Sequence, residues 1–342
     1  MARRLVSWAK RSVAERRIAL GANDAVRRLR ALKAKNSGKT FYGILLVEHI
    51  GDIIACEPVI RWVRRETPNA FIVWLTKGAY SEMLANHPDL DAVVPVSSLA
   101  VVSRIVASRV FDTFLDLHVN DKPTGVENVA HSKTWGDPHV DRANYFAYGS
   151  ILRAFSTAAG VSIPSEAPRL YVSDAVVRSV DALCLPERFV AVHTTSNEGL
   201  KNWLPSEWNE LANYIASSCG VPVVEVGLAR TITLVHERVL SLCGELSIMQ
   251  TAEVIRRSVF FIGIDSAVAH MANAWRTPSL LLFGRYRGHD HWIPYDGFFG
   301  VDPDRWIMRY GGSLSELPAR EVIERLRTTE VWRTTVCIEG LW

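Results

Sequence analysis

Beyond residue 40, short apolar runs alternate with segments in which apolar residues recur every three or four positions. The short runs predict buried strands, and the periodic segments predict amphipathic helices. Strands and helices in regular alternation are typical of parallel βαβ units. In the first half, the pattern predicts strands over residues 41–47, 71–75, 92–96 and 113–117, and helices over residues 53–65, 79–86 and 99–108.

Residues 118–150 interrupt the alternation, because they are rich in His, Asp, Asn, Gly, Tyr and Trp and predict irregular loops. The alternation resumes after a connector near residues 167–170. Two successive βαβ series predict an α/β protein with two Rossmann-like, doubly wound domains, which bind ligands at the carboxyl ends of their strands. The second series predicts strands over residues 189–193, 222–226, 260–264 and 279–283, and helices over residues 205–217, 247–257 and 266–275.

The positive charge of the chain is concentrated at its start. Residues 1–40 contain twelve Lys or Arg and two acidic residues, whereas the whole chain has a net charge of only +3. Because apolar residues, Trp8 among them, recur at helical intervals here, residues 1–35 can lie on an anionic membrane surface. The alternative is a basic helix packed on the body of the protein. No known nucleic-acid-binding module accompanies the charge, so we expect no nucleic acid partner.

The composition, with 48% hydrophobic and 22% charged residues, is ordinary for a soluble globular protein. The five cysteines stand singly, which predicts neither a disulfide framework nor a zinc knuckle and suits a reducing cytosol. No apolar run reaches the roughly 18 residues that span a bilayer, and no signal peptide is recognisable. We therefore expect a cytoplasmic protein, either free or peripheral on the inner face of the cytoplasmic membrane.

Asp52 is the first candidate for chemistry, since it follows Gly51 directly after the first predicted strand. Gly51 permits a tight turn that presents Asp52 at the carboxyl end of this strand. A carboxylate in this place can act as a general base toward a hydroxyl group. The competing interpretation is that Asp52 only caps a helix that begins at Ile53.

The loop after the first strand of the second half combines hydroxyl groups with one lysine. Lys201 supplies a compact positive charge, and three hydroxyl side chains supply hydrogen-bond donors, a combination that suits phosphate oxygens. A polar surface loop with a solvated lysine would show the same composition. The three hydroxyl residues are Thr194, Thr195 and Ser196.

A third candidate lies where the predicted strand 260–264 runs straight into a helix. Asp265 or Ser266 is expected to cap this helix and to leave its first-turn amides as an anion site. His270 lies one helical turn beyond Ser266, on a similar face. By itself, a histidine at such a position is as well explained by a place in the core.

Motifs of several other enzyme classes are absent or incomplete. Neither a Gly-x-Gly-x-x-Gly after the first strand nor a P-loop is present, which argues against dinucleotide oxidoreductases and P-loop enzymes. No Gly-x-Ser-x-Gly elbow occurs. The Asp-x-Asp pairs at residues 89–91 and 302–304 and the His-Asp-His sequence at 289–291 lack the converging ligands of a metal site, so we predict no metal.

Seven short segments between residues 42 and 295 together carry a family resemblance. The most specific is Asp-Ser-x-x-x-His at 265–270, which leads to Thr277-Pro278. The others are Gly51-Asp52 before a helix with Pro58, Asn-His-Pro-Asp-Leu-Asp at 86–91, Phe-Asp-Thr-Phe-Leu-Asp-Leu-His at 111–118, Lys-Asn-Trp-Leu-Pro at 201–205, Cys-Gly-Glu-Leu-Ser at 243–247, and Leu-Leu-Leu-Phe-Gly at 280–284 followed by Trp292. In this order they resemble glycosyltransferase family 9, the bacterial ADP-heptose:lipopolysaccharide heptosyltransferases and their relatives.

The resemblance implies a GT-B architecture, in which two domains face each other across a cleft. It implies that residues 41–170 bind the acceptor and residues 171–342 bind the sugar nucleotide, after the basic helical segment 1–40. It also implies an inverting, metal-independent transfer of heptose or a related sugar from a nucleotide-diphosphate donor, such as an ADP-linked sugar, to lipopolysaccharide or another cell-envelope glycan. No cofactor is implied.

Matching positions give the candidate site residues their roles. Asp52 matches the general base, and Lys201 matches the lysine that neutralises the donor diphosphate. On the acceptor side, the chain itself offers candidate contacts in the loop 118–150, namely His118, Lys122, Lys133, His139 and Arg142. The further donor contacts are Thr194, Thr195, Ser196, Gly227, Asp265, Ser266, Ala267 and His270.

Three departures from the family pattern leave the identity of the donor open. Ala267 stands where the family usually has Gly, and Arg285 stands where it has Pro. No acidic residue for the donor ribose is clearly placed after Gly227, where Leu-Ala-Arg follows instead. Two other functions therefore stay open from the sequence alone: a GT-B-like sugar-nucleotide epimerase and a non-catalytic sugar-nucleotide-binding scaffold.

Overall fold

The computed structural model describes residues 21–124, 136–137 and 139–337, which form two compact units. Unit 1 contains the described residues up to His49 with Val59–Tyr145 and Arg153–Ile163, and unit 2 contains Ile50–Pro58, Phe146–Leu152 and the chain from Pro164 onward. The sequence suggested one boundary between residues 170 and 171. The structure differs because two short segments, 50–58 and 146–152, pack within the second unit.

Ten strands and thirteen α-helices are assigned in the described residues, besides short 3-10 and π-helical segments. The strands are β1 (Thr40–Leu45), β2 (Ala70–Lys77), β3 (Ala92–Val96), β4 (Thr113–Asp116), β5 (Val190–His193), β6 (Val223–Glu225), β7 (Val239–Ser241), β8 (Phe260–Ile264), β9 (Ser279–Phe283) and β10 (Ile307–Arg309). The helices are α1 (residues 21–35), α2 (Ile50–Ala55), α3 (Pro58–Glu66), α4 (Leu99–Ala107), α5 (Ile151–Ala158), α6 (Asp174–Asp181), α7 (Pro205–Asn213), α8 (Ile248–Arg257), α9 (Ala267–Trp275), α10 (Phe298–Val301), α11 (Pro303–Trp306), α12 (Ala319–Thr328) and α13 (Glu330–Thr335).

Unit 1 is built on a four-stranded parallel sheet with the strand order β3-β2-β1-β4. Its central strands are almost entirely buried, because helices cover both faces of a parallel sheet. This burial explains why β1 and β2 are nearly continuous apolar runs rather than alternating ones. The carboxyl ends of β1 and β4 are neighbours at the point where the strand order reverses.

Helix α1 packs against one face of this sheet. Ala22 and Leu29 are completely buried in the same apolar cluster as Phe41, while Arg27 and Arg28 are exposed and pair with Asp24 on the helix surface. For residues 21–35, the structure therefore agrees with a basic helix packed on the body of the protein. Residues 1–20, with Trp8, lie outside the described residues. Within the described ranges, no helix combines the length and apolar character needed to cross a bilayer.

Unit 2 is built on a six-stranded parallel sheet with the strand order β10-β9-β8-β5-β6-β7. The first strand of the unit, β5, lies between β6 and β8, so the strand order reverses between β5 and β8. Open α/β sheets bind their ligands outside the carboxyl ends of the strands at such a reversal. Two predicted site segments, the loop after β5 and the start of α9, follow these two strands directly.

Most of the predicted elements are confirmed, and the prediction of two parallel α/β halves is confirmed with them. The expected single helix over residues 53–65 is wrong in its limits, because the structure has α2 and α3 there. Pro58 has no backbone N–H to donate, so it begins a new helix rather than continuing the first. A 3-10 helix, Gly78–Met83, replaces the helix expected over residues 79–86.

The cysteine prediction is wrong for one pair. Cys219 and Cys337 form a disulfide, with their Cα atoms 5.1 Å apart, whereas Cys56, Cys184 and Cys243 are free. Cys219 follows a π-helical turn, Tyr214–Ser218, and Cys337 follows α13. Because 118 residues separate them, their spacing gives no sign that the two chain segments pack in one apolar cluster.

Candidate functional site

The carboxyl ends of β5 and β8 bring the second and third predicted segments together. His193, the last residue of β5, is in register with Gly263 of β8. The loop that carries Lys201 follows β5, and Asp265 and Ser266 follow β8 before α9 begins. Sheet register thus places a lysine, a carboxylate and a helix start at one edge of unit 2.

A buried ion pair joins Lys201 to Asp265. The Nζ atom of Lys201 lies 2.5 Å from Oδ2 of Asp265, with side chains only 17% and 9% exposed. Burial alone raises the pKa of the Asp265 carboxyl, but the Lys201 ammonium, with help from His289, holds this pKa well below its usual value. The ammonium also lies 4.6 Å from the ring centre of Tyr286, a cation–π contact. Lys201 is therefore held in the site and is not a solvated surface lysine.

Two further side chains complete the surroundings of Asp265. The hydroxyl group of Tyr295 donates to Oδ1 of Asp265 at 3.1 Å, and Nε2 of His289 lies 3.3 Å from Oδ2. Burial, with Asp265 nearby, raises the pKa of Tyr295 well above its usual value, so this phenol stays protonated and donates. Sequence reasoning assigned neither residue to the site. Their one signal was the unusual aromatic and basic segment after β9.

Ser266 begins α9 as its N-cap. Its hydroxyl group accepts a hydrogen bond from the backbone N–H of Ala269 and lies 3.1 Å from Nδ1 of His193. Burial lowers the pKa of His193 to about 4, so the imidazole is neutral near pH 7. With Ser266 as the cap, the amide of Ala267 lies in the first turn of the helix, where backbone N–H groups favour anions.

Asp52 lies in the first turn of α2, and α2 packs on α9. A Cβ atom on Gly51 would lie 2.8 Å from Cδ2 of His270 and 3.6 Å from Cα of Ala267, so the absence of a side chain permits this approach. Because α2 begins at Ile50, the suggestion that Asp52 caps a helix starting at Ile53 is wrong. Asp52 is buried in the same unit as Lys201.

Two carboxylates, those of Asp265 and Asp52, affect the pKa of His270. Burial lowers the pKa of His270 to about 4, while Asp265 and Asp52 act in the opposite direction, in that order. The ring packs on Tyr295, with 4.6 Å between ring centres, and its Nδ1 atom has no hydrogen-bond partner among the described residues. His270 is therefore a neutral, buried side chain beside Asp52.

The hydroxyl groups of the loop after β5 have different surroundings. Thr194 is buried, and its hydroxyl is within hydrogen-bond distance of both Glu225 and Thr231, so it stabilises the fold. Ser196 is half-buried and bonds within its own loop, where its backbone N–H donates to Asn202 at 2.8 Å. Thr195 is half-buried as well. The last two are placed to meet a ligand without breaking a core contact.

Gly227 has a φ of +145°, a backbone conformation that residues other than glycine rarely adopt. The next residue, Leu228, is 87% exposed. The nearby acidic residue, Glu225, is fully buried and accepts hydrogen bonds from the backbone N–H groups of Thr231 and Ile232. It is thus committed to the fold, and the place of a ribose-binding carboxylate stays unassigned.

The acceptor candidates that the structure describes lie in unit 1, in different surroundings. His118 is completely buried: Nδ1 lies 2.7 Å from Asp116, and Nε2 accepts a hydrogen bond from the N–H of Val47. The prediction that His118 contacts the acceptor is therefore wrong. Lys122 lies 3.4 Å from Glu48 at the carboxyl ends of β1 and β4. Arg142 is exposed, and Lys133 lies outside the described residues.

The His-Asp-His sequence does not converge on one point. His289 is buried and faces Asp265, whereas His291 is 72% exposed and pairs with Asp290 on the surface. In the described ranges, no group of three or more His, Cys, Asp or Glu side chains is arranged to hold a metal ion. These two histidines therefore have separate environments.

Comparisons with known proteins give the chain a family. Residues 125–296, just over half of the chain, match the family described as glycosyltransferase family 9 (heptosyltransferase). The chain is 21% identical over 314 residues to lipopolysaccharide heptosyltransferase 3 of Escherichia coli (strain K12), covering 80% of this chain and 89% of that protein.

Solved structures show the same fold. The E. coli ADP-heptose lps heptosyltransferase II matches with a TM-score of 0.65 and 18% identity, covering 86% of this chain and 98% of the other. A family 9 glycosyl transferase from Veillonella parvula DSM 2008 matches with a TM-score of 0.63 and 15% identity, covering 86% and 97%. These matches confirm the GT-B fold class. Together with the family match, they show that this chain is a glycosyltransferase and belongs to glycosyltransferase family 9.

Proposed function

We propose that this chain is an inverting, metal-independent heptosyltransferase. Its donor is a nucleotide-diphosphate sugar, ADP-heptose or a related compound, and its acceptor is lipopolysaccharide or another cell-envelope glycan. The names of its relatives support this substrate class. The observation that carries the proposal is the buried Lys201–Asp265 pair at the start of α9, in the same unit as Asp52.

The donor diphosphate binds at the edge of the sheet in unit 2. Lys201 neutralises its charge, and the first-turn amides of α9, with Ala267 among them, donate to its oxygens. Thr195 and Ser196 supply hydroxyl donors from the loop after β5. Asp265 holds Lys201 in place and faces the sugar side of the diphosphate. Gly227, beside the buried His193, gives the nucleotide close access to the backbone.

Asp52 acts as the general base. It accepts the proton of the acceptor hydroxyl as the oxygen attacks the anomeric carbon, while the bond from this carbon to the diphosphate breaks. The nucleoside diphosphate leaves with the electron pair of that bond, and Lys201 stabilises the charge. One displacement inverts the anomeric configuration. Burial lowers the pKa of His270 to about 4, so this imidazole is a weak base and Asp52 is the proton acceptor in the proposal.

The fixed ammonium of Lys201 does the work that a divalent cation does in metal-dependent transferases. A charged side chain that is already placed in the site needs no reorganisation when charge develops on the leaving group. We therefore propose that transfer proceeds in the presence of a chelator at an unchanged rate. Dependence on an added metal ion would contradict this part of the proposal.

The acceptor binds to unit 1, within residues 41–170 as proposed from the sequence. Lys122, close to Glu48 at the carboxyl ends of β1 and β4, and the exposed Arg142 supply positive charge for phosphate groups on a glycan. Replacement of Arg142 by Gln should raise KM for a phosphorylated acceptor and leave KM for the donor unchanged.

The basic residues of the N-terminal segment bind an anionic membrane surface and bring the enzyme to a lipid-linked acceptor on the cytoplasmic side. Residues 1–35 carry eleven Lys or Arg side chains, and two of those on α1, Arg27 and Arg28, are exposed. Co-sedimentation with vesicles containing anionic lipid should be lost when Arg27, Arg28 and Arg30 are replaced by Gln. Equal binding by this variant would contradict the membrane contact through α1.

The central experiment measures transfer from ADP-heptose to a heptose-deficient lipopolysaccharide acceptor. The wild-type protein should release ADP only when both substrates are present. Asp52→Asn should lose about 10²–10⁴-fold in kcat, the usual contribution of a general base, and keep its affinity for ADP. Lys201→Ala should lose about 10²–10³-fold in kcat and also bind ADP more weakly.

Matched controls are Asp302→Asn and Lys39→Ala, since both side chains are exposed and neither lies in the membrane-binding segment 1–35 or contacts Asp265. Equal loss of ADP affinity and transfer in Asp52→Asn would make Asp52 a structural residue. A new epimer of the donor sugar would favour the epimerase, and ADP binding without any turnover would favour the scaffold.

A further inference from the structure

One oxygen atom of Asp265 faces two basic side chains. Oδ2 receives the ammonium of Lys201 at 2.5 Å, and Nε2 of His289 lies 3.3 Å from the same oxygen. The 3.3 Å contact is within ion-pair distance, and Nε2 has no other polar partner among the described residues. His289 is thus aimed at a carboxylate oxygen that Lys201 already occupies.

The ring of His289 is fixed in this orientation. It stacks on Phe283, with ring centres 4.4 Å apart, and its side chain is only 3% exposed. Both backbone polar groups of His289 are hydrogen-bonded. Its N–H donates to the carbonyl of Tyr286 at 3.0 Å, and its carbonyl accepts from Nε of Arg309 at 3.1 Å. The imidazole therefore stays beside Asp265 when other groups move.

Binding of a diphosphate changes the charge balance around Asp265. In the proposed function, on which this step rests, Lys201 turns part of its charge toward the diphosphate. Tyr295 remains on Oδ1, but a phenol carries no charge to compensate a buried carboxylate. A buried carboxylate that loses its cation is strongly destabilised unless another cation replaces it. In the part of the chain that is described, His289 is the other basic side chain within 4 Å of Asp265.

We propose that His289 takes up a proton when a nucleoside diphosphate binds, and so replaces Lys201 as the charged partner of Asp265. The proton comes from solvent and returns to it when the nucleoside diphosphate leaves. His289 is a positioning residue in this scheme, since it keeps Asp265 in place while Lys201 serves the phosphates. No covalent bond is made or broken.

The groups around His289 determine the direction of this effect. Asp265 favours the protonated imidazole, and Lys201 opposes it in the free protein, as does the guanidinium of Arg309. The other titratable neighbours are Tyr286, which contacts the ring of His289, and Tyr295 and His270, which lie beside Asp265. Burial raises the pKa of both phenols and lowers that of His270 to about 4, so all three are neutral near pH 7. When the diphosphate draws the Lys201 ammonium toward itself, the repulsion between this ammonium and a protonated His289 becomes weaker. Proton uptake and ADP binding therefore favour each other.

Calorimetric titration of the full-length protein with ADP tests this coupling. The heat of binding is measured at pH 7.5 in two buffers with different ionisation enthalpies, and the difference gives the number of protons taken up. The wild-type protein should take up as much as about one proton per ADP, and affinity should rise as pH is lowered toward 6.5. A diphosphate that binds beside a lysine tends to release protons of its own. Proton uptake by His289 has the opposite sign, so the two signals can be told apart.

His289→Gln keeps a donor toward Asp265 but cannot accept a proton, so its uptake should fall to near zero or become a release. His289→Asn serves as a second variant, and thermal unfolding reports whether each variant folds. His291→Gln is the matched control, because His291 is exposed on the same loop and should leave the uptake unchanged.

The possible failures are distinguishable. If the wild-type protein does not bind ADP, the proposed donor site is contradicted, and the role of His289 falls with it. If ADP binds but no proton is taken up, or if uptake is the same in His289→Gln, only the role of His289 is overturned. Loss of uptake in His291→Gln would also overturn it.

Discussion

Replacement of Gly51 by Ala tests whether the contact between α2 and α9 positions Asp52, the proposed general base. The new Cβ atom would lie 2.8 Å from Cδ2 and 3.3 Å from Nε2 of His270. Both distances are shorter than ordinary carbon contacts, so one of the two helices or the imidazole must shift. His270 cannot retreat easily, because it is buried and packs on Tyr295 at 4.6 Å.

Two effects of opposite sign decide the stability of this variant. Ala is the better helix former, which stabilises the protein by at most about 1 kcal/mol relative to Gly. Inserting a methyl group into a closely packed contact costs about 1–3 kcal/mol. We expect the steric cost to exceed the gain by about 1 kcal/mol, which lowers the melting temperature by about 1–2 °C in a protein of this size.

The effect on activity should be larger than the effect on stability. Because Asp52 is the residue after Gly51, a shift of α2 moves the carboxylate directly, and misplacement by about 1 Å can cost about 10²-fold in rate. We therefore expect a reduced kcat for transfer with unchanged affinity for ADP.

The assay pairs thermal unfolding with transfer kinetics, and Gly38→Ala is the control. Gly38 has no atom within 4 Å of a new Cβ, so this variant should keep both stability and kcat. If Gly51→Ala is as stable as the wild type or more stable, and its kcat is unchanged, the close approach of α2 to His270 does not constrain Asp52 and the reasoning is wrong.

Three other outcomes can be measured by unfolding. Leu29→Ala should destabilise the protein by about 2–5 kcal/mol in denaturant unfolding, because this side chain of α1 is completely buried against the sheet of unit 1. Ser266→Ala should cost about 0.5–2 kcal/mol through loss of the N-cap of α9. The pKa of His193 and that of His270 are lowered from 6.5 to about 4, so the unfolded chain binds more protons between these values. Stability should therefore fall as pH drops from 6.5 toward 4, by at most about 1.4 kcal/mol per pH unit for each histidine. His193→Gln should flatten the slope of melting temperature against pH.

The strands of both sheets could be predicted from sequence because parallel strands are buried on both faces. The predicted limits of β3, β8 and β9 agree with the structure to the residue. By contrast, β7 and β10 were not predicted. Each has three residues, and most of these are only half-buried, so neither forms a continuous apolar run. Strand prediction here fails where burial on both faces ends.

The site could be predicted only in part, for a related reason. Asp52, Lys201 and Asp265 each follow a recognisable strand, so their position at a strand's carboxyl end can be read from the pattern. His289 and Tyr295 reach Asp265 from the irregular segment after β9, which has no period to indicate direction. Their place depends on packing against Phe283 and His270, which the sequence does not reveal.

Because α2 packs on α9, the proposed catalytic residues belong to one unit rather than to two. The sequence assigned Asp52 to the first domain and Lys201 to the second, whereas in the structure both belong to unit 2. The position of the proposed base relative to the phosphate site is then set by one helix contact, in which Gly51 faces His270 and Ala267. A substitution at Ala267, where the family usually has Gly, thus bears on the base as well as on the phosphate, because both depend on the first turn of α9.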